Sequence, residues 1–234
     1  MSYVLRRTAA LTCASLLLVV TGCSGDDPAD SPEEEVEDLG ARLAAAKTRI
    51  DEAPSVDFTI RTEELPSGVS GLLEAEGTGT SDPAFDGTAR VSPGPIDAEV
   101  ISVDDTVYAK VGFTPTFLEI DPSTLGAPDP ADFFDTESGV SSLLVATEDP
   151  QAGEDERDGE DVLTTITGTL PGELLAALLP TAEEAGQFDV SYRLTEDDLL
   201  RGATITGPFY EGSDDVTYDL TVEPSDETVE ITAP

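Results

Sequence analysis

Cys23 is the residue whose surroundings most clearly prescribe a reaction. It closes the run Leu16, Leu17, Leu18, Val19, Val20, Thr21, Gly22, and the basic pair Arg6 and Arg7 stands ahead of that run. A basic start, an apolar run of about a dozen residues and small residues before a cut form a secretory leader, too short to span a bilayer. A cysteine directly after the cut fits a bacterial lipoprotein signal, in which the thiol takes a diacylglycerol group and the cysteine becomes the new amino terminus. The bland alternative is an ordinary leader beside an incidental cysteine. Residues 1–22 are read as the signal peptide and Cys23 as the lipidation site.

That cut leaves little else to do chemistry. Cys13 departs with the leader, Cys23 is acylated, and the chain has no histidine and no tryptophan. Thiolate or imidazole metal sites, disulfides and Ser-His or Cys-His nucleophile pairs are therefore excluded from the mature chain. Lys47 and Lys110 are the two lysines, and their positions on a helix and on an outward strand register read as solvated. Acids number 50, so no pair stands out as a general acid and base. Asp26-Asp27, Asp104-Asp105 and Asp214-Asp215 lack the spacing of a calcium loop and read as turn formers. Gly77-Thr78-Gly79-Thr80 lacks the helix and lysine of a phosphate-binding loop. Tyr108, Tyr192 and Tyr218 fall at alternating strand positions and read as packing residues. No cofactor, no metal and no enzymatic activity are expected; a carboxylate-based envelope hydrolase stays as the minor alternative.

Charge narrows the partners. The formal net charge is −39, and losing Arg6 and Arg7 takes the mature chain to −41. Such a surface repels nucleic acid and anionic headgroups, so neither DNA or RNA binding nor polybasic membrane attachment is expected. Membrane attachment would rest on the lipid alone.

The elements follow from hydrophobic period. Residues 23–32 are small, polar and acidic, a flexible tether, and residues 33–234 form one domain. Ser31, Pro32 and Glu34 suggest a helix start, followed by a helical stripe of Val36, Leu39, Leu43, Ala46 and Ile50 that Pro54 ends. From Val56, Phe58 and Ile60 the period changes to two, and strands recur over 72–80, 85–91, 96–103, 106–111 and 116–120, divided by turn residues. A helical turn with Phe133 and Phe134 comes next, then a helix capped by Ser138 with Val140, Leu143 and Leu144, then an acidic loop over 148–161. A strand over 162–170 leads into a proline-bracketed helix with Leu174, Leu175, Leu178 and Leu179. Alternation resumes at Phe188, Val190, Tyr192 and Leu194, around 203–205, at Val216, Tyr218, Leu220 and Val222, and at Val229 and Ile231. The class is α+β on a large antiparallel sheet.

Three greasy segments, at 133–134, 143–145 and 174–179, need a cover. They either plug the core or roof an apolar ligand; the residues alone leave both open.

Three ordered stretches carry a resemblance. They are Gly94-Pro95-Ile96-Asp97-Ala98-Glu99-Val100 running to Asp105-Thr106-Val107-Tyr108-Ala109; Phe117-Leu118-Glu119-Ile120-Asp121-Pro122 leading to Glu137-Ser138-Gly139-Val140-Ser141-Ser142-Leu143-Leu144; and Asp158-Gly159-Glu160-Asp161-Val162-Leu163-Thr164-Thr165-Ile166-Thr167-Gly168-Thr169-Leu170 with the helix after it. Together they resemble the actinobacterial LppX/LprAFG lipoproteins, lipid carriers of the mycobacterial-type envelope. The resemblance implies a strongly curved antiparallel half-barrel whose concave face is covered by helices around an apolar cavity. It implies a lipid anchor on the outer face of the cell membrane and a multi-acylated lipid or glycolipid as ligand. It also implies a monomer that cooperates with a membrane exporter. The lipid-binding residues it suggests are Ala89, Val91, Val100, Val107, Phe133, Leu143, Leu144, Leu174, Leu175 and Leu178. A non-carrier envelope scaffold with a filled core is the alternative.

Overall fold

The computed structural model describes residues 38–92, 96–112, 114–159 and 161–234. The leader, Cys23, the tether and the helix start expected at Ser31 lie outside them. The described helix, α1 (Leu39–Asp51), is capped by Asp38, whose carboxylate accepts from the Ala41 amide at 3.0 Å. Leu43, Ala46 and Ile50 form its buried stripe, as the 3.6-residue period requires.

Beyond Pro54 the chain alternates between faces and builds one open antiparallel sheet. The first half is β1 (Ser55–Arg61), β2 (Gly71–Thr80), β3 (Ala84–Ser92), β4 (Ile96–Val103), β5 (Thr106–Val111) and β6 (Leu118–Ile120). Two 3-10 turns, Pro122–Leu125 and Pro130–Phe134, and the helix α2 (Ser142–Ala146) follow. The rest comprises β7 (Glu148–Ala152), β8 (Glu156–Asp158), β9 (Asp161–Pro171), α3 (Gly172–Leu178), β10 (Gln187–Leu194), β11 (Leu200–Gly207) and β12 (Val216–Ser225). The spatial order is β6-β5-β4-β3-β2-β1-β12-β11-β10-β9-β7, with β8 beside β9. The sheet curls without closing, a half-barrel. Its inner rows, such as Phe58, Val190, Tyr192, Tyr218 and Val222, are buried, as period-two patterning over a covered face predicts. Asp104 and Asp105 take positive φ of 52° and 57° in the β4–β5 turn, the two-residue hairpin geometry that aspartate tolerates.

Four expectations are corrected. The acidic stretch 148–161 is not a loop. Ala152 pairs with Ile166 and Glu156 with Leu163 along the edge of β9, and these edge residues are mostly exposed, so no apolar alternation marks them. Val229 and Ile231 form no strand: β1 and β12 already pair with neighbours on both sides, leaving the tail no ladder to join. Ser138 does not cap α2; its hydroxyl donates to the Asp135 carboxylate at 2.7 Å. Lys47 is not free in solvent, since it pairs with Asp51 and donates to the Thr136 carbonyl at 2.6 Å, tying α1 to the segment before α2.

Candidate functional site

The inner face of β2–β5 is unusually small. Register aligns Ala75 with Ala89, Ala89 with Ala98 and Ala98 with Val111 across four strands. A slip in pairing between Leu72 and Glu74 keeps both Leu72 and Ala75 on that inner face, the usual effect of a one-residue bulge. The next row runs from Gly77 to Gly87, Val100 and Ala109. Side chains this short cannot reach whatever covers them, so the sheet leaves a hollow.

The cover is the chain between the two 3-10 turns. Asp121 and Asp129 cap those turns by accepting from the amides of Ser123 and Ala131. Gly126, at φ 67°, reverses the chain where an added Cβ would stand 2.9 Å from the Ser70 carbonyl oxygen. Asp129 also accepts from the fully buried Ser102 hydroxyl on β4 at 2.5 Å, a latch between roof and sheet. Farther along, Phe134 lies directly over Gly79 and Phe85 over Gly77 and Gly87. Phe58 touches both Phe133 and Phe134, at ring-centroid distances of 5.4 and 5.5 Å.

Beneath this roof is a cavity of about 300 Å³. Its floor is Ala75, Ala89, Ala98 and Ala109, and its walls include Leu72, Val91, Val100 and Val107. Pro122, Leu125, Ala127, Pro128, Pro130 and Phe133 form the ceiling, with Val111 and Ile120 toward the sheet edge. Every one of these side chains is apolar. Val111 and Leu125 are 41% and 40% exposed and Leu118 beside them 58%, which marks the mouth. Its deep end is Phe133, at 2%.

Of the residues expected to meet lipid, Ala89, Val91, Val100, Val107 and Phe133 line this hollow. Leu143, Leu144, Leu174, Leu175 and Leu178 do not. Leu143, Leu144, Leu175 and Leu178 are buried in the continuous core and Leu174 packs at its margin. Tyr192 explains the position of α2, because its hydroxyl donates to the Leu143 carbonyl at 3.2 Å and meets Thr147 Oγ1 at 3.0 Å. Burial pushes the Tyr192 and Tyr218 hydroxyls far up from the ordinary phenol value, so both stay neutral and act in packing. Sequence reasoning missed Ala75, Ala98, Ala109 and, apart from Phe133, the proline-marked ceiling. Alanines recurring at inward positions of neighbouring strands were the available signal.

Outside the hollow, chemistry is sparse. A groove of about 550 Å³ on the opposite face of the sheet is polar, and its cations are engaged: Arg90 with Glu74 and Asp97, Lys110 with Glu99. On the roof's outer side, partial desolvation together with Asp129, Asp105 and Asp135 raises the Asp132 carboxyl above its usual value. Hydrogen bonds from the Ser138 hydroxyl and amide lower that of Asp135. Among the described residues no cluster of three or more His, Cys, Asp or Glu is arranged to hold a metal ion, and no helix is long and apolar enough to cross a membrane.

Residues 38–232 match the LppX_LprAFG lipoprotein family. The chain belongs to that family. The solved structure of LprF from Mycobacterium bovis superposes with a TM-score of 0.67 at 15% identity, covering 84% of this chain and 96% of that one. The lipoprotein LppX from Mycobacterium tuberculosis gives 0.60 at 20% identity, covering 83% and 98%. At these identities the likeness establishes a common fold: the large open antiparallel sheet with few helices. No curated protein sequence is a significant match.

Proposed function

We propose that this LppX/LprAFG lipoprotein binds the acyl portion of a lipid or glycolipid in the hollow beneath residues 122–133 and carries it within the cell envelope. The observation that carries this reading is a cavity of about 300 Å³ with a wholly apolar lining and an exposed apolar mouth. A polar substrate gains nothing there, whereas each methylene moved from water contributes about 0.8 kcal/mol. Pockets for small molecules begin near this size but normally carry a few polar groups to orient the ligand; their absence favours a featureless hydrocarbon chain. Ala89, Val91, Val100, Val107 and Phe133 would contact the chain. Leu143, Leu144, Leu174, Leu175 and Leu178 would act as the solid backing that keeps the other half of the sheet rigid. Cys23 would anchor the protein to the outer face of the plasma membrane through its lipid, the chain working as a monomer and handing cargo to or from a membrane exporter.

The test is to produce the mature chain carrying Cys23→Ser, extract it with organic solvent and identify lipid by mass spectrometry. We expect stoichiometric acyl lipid, lost when Ala98→Trp fills the floor and retained when the exposed Val145 is changed to Gln. Absence of any co-purified lipid, with no uptake of added acyl probes, overturns the proposal. That result would favour the second reading, an envelope scaffold, which draws on the solid packing of α2 and α3.

A further inference from the structure

We propose that the apolar rim of the hollow is a membrane-docking surface, which sets the mouth against lipid whose headgroups carry no net charge; the proposal rests on the lipid-binding reading for its purpose. Of the five large apolar side chains that stand exposed among the described residues, Val111, Leu118 and Leu125 gather at this one mouth. Strand register makes the rim a continuation of the lining. The inner row Gly87, Val100 and Ala109 runs on to Leu118 of β6, and the row Ala89 and Ala98 ends at Val111. Leu118 is 58% exposed because no strand lies beyond β6 to carry the cover farther. A tail leaving a bilayer at Leu118 therefore crosses no polar boundary before it reaches the alanine floor. Exposed apolar side chains grouped in this way mark a contact surface, whereas scattered ones do not.

Charge selects the kind of surface. Alternation sends the neighbouring charges to the convex face: Lys110 lines the outer groove, where both Glu99 carboxylate oxygens engage its ammonium at 2.8 and 3.0 Å. Glu119 pairs with Tyr108, one step out of phase with Ala109 and Leu118. Asp121 is turned into its own cap, accepting from the Ser123 amide and hydroxyl at 3.0 and 2.6 Å. Lys110 is thus committed to Glu99, and a chain of −39 repels anionic lipid. An uncharged or zwitterionic surface fits. A second copy of the chain fits poorly, since three partly exposed side chains fall far short of the roughly 800 Å² per partner of a stable protein interface. A bilayer asks for less, because the proposed anchor already holds the domain beside it and turns a weak contact into an intramolecular one. The 14 residues between Cys23 and Asp38 reach at most about 50 Å. The eleven strands of the main path span about 48 Å laid flat and less when curled, so such a tether lets the mouth face the membrane.

The experiment couples the mature chain through the Cys23 thiol to a maleimide lipid in phosphatidylcholine vesicles whose tails are brominated. The chain has no tryptophan, so Leu118→Trp supplies a single reporter at the rim and Val145→Trp, on α2, one equally exposed elsewhere. The Leu118→Trp emission should shift to the blue and be quenched by bromine, and that of Val145→Trp should not. Adding Leu125→Glu should lower the docked-to-undocked ratio by about tenfold. Replacing a third of the lipid with phosphatidylglycerol should weaken quenching at low salt, with recovery in 0.5 M salt. Ala98→Phe, which fills the hollow, should leave the quenching in place and so separates docking from a bromolipid held inside; Ala75→Leu serves if that variant does not fold. Quenching that Leu125→Glu leaves intact, that anionic lipid strengthens, or that is lost when the hollow is filled overturns the docking proposal. So does a Leu118-dependent dimer of the Cys23→Ser chain in sedimentation, which would give the rim to a second copy. Uptake of a soluble acyl probe without quenching sinks docking alone, whereas quenching without any probe uptake sinks the lipid-binding reading.

Discussion

Replacing Gly79 by alanine tests the packing that shapes the hollow. On an extended strand, Gly→Ala ordinarily stabilises by about 0.4–1 kcal/mol through the unfolded chain. Gly79 should do the opposite. A Cβ built there falls 2.3 Å from three atoms of the Phe134 ring, where ordinary contact needs well over 3 Å. The ring must retreat by about an ångström, yet it is edge-on to Phe58 at 5.5 Å and stacked on Phe85 at 6.2 Å. Overpacking of this kind costs about 1–3 kcal/mol, and each strained aromatic pair puts at risk about 0.5–1.5 kcal/mol. We expect a net loss of about 2–3 kcal/mol, a fall in Tm of roughly 4–12 °C for a domain of this size. The chain has no tryptophan, so urea unfolding is followed by far-ultraviolet circular dichroism and tyrosine fluorescence. Phe134→Ala should cost about 3–5 kcal/mol alone, and the double variant should lose far less than the sum, because the clash is gone. A neutral or stabilising Gly79→Ala, or strict additivity, refutes the packing argument.

Ser102→Ala removes the donor that holds Asp129, and should cost about 1–3 kcal/mol while speeding release of a bound acyl probe in stopped-flow fluorescence; unchanged release means the latch does not control the roof. Asp132 has a folded pKa above its unfolded value, so the folded state holds the extra proton and stability falls as pH rises from the ordinary carboxylate range through the raised value. Asp132→Asn should accordingly raise Tm at pH 7 and leave it unchanged at pH 3. An equal shift at both pH values would show that charge is not the cause.

Much of the sheet was legible because burial on one face imprints a period of two. Val56, Phe58 and Ile60 on β1, and Val216 through Val222 on β12, announced themselves in this way. β7 and β8 did not, since strands exposed at an edge obey no apolar rhythm and are held by backbone pairing alone. The candidate site was half legible. Val91, Val100 and Val107 are inward by alternation, and Phe133 is conspicuous. The leucines of α2 and α3 look equally greasy in sequence but fill the interior, a distinction set by the Tyr192 hydrogen bonds and by register among strands distant in the chain. A cavity arises from missing volume, and absent side chains such as those at Ala75, Ala98 and Ala109 carry little hydrophobic signal of their own.

An open sheet is also one that a neighbour can lengthen, and proteins concentrated on a membrane meet their neighbours often. Here one margin is only three residues long, at β6, and the other carries Glu148, Asp149 and Pro150 with Glu156 and Asp158 alongside. Like charges facing each other and a proline in the ladder discourage strand-to-strand adhesion. Under the proposed anchoring, part of the chain's surplus of acid serves as spacing between copies, letting the half-barrel stay unsealed for its ligand without becoming a template for its own polymer.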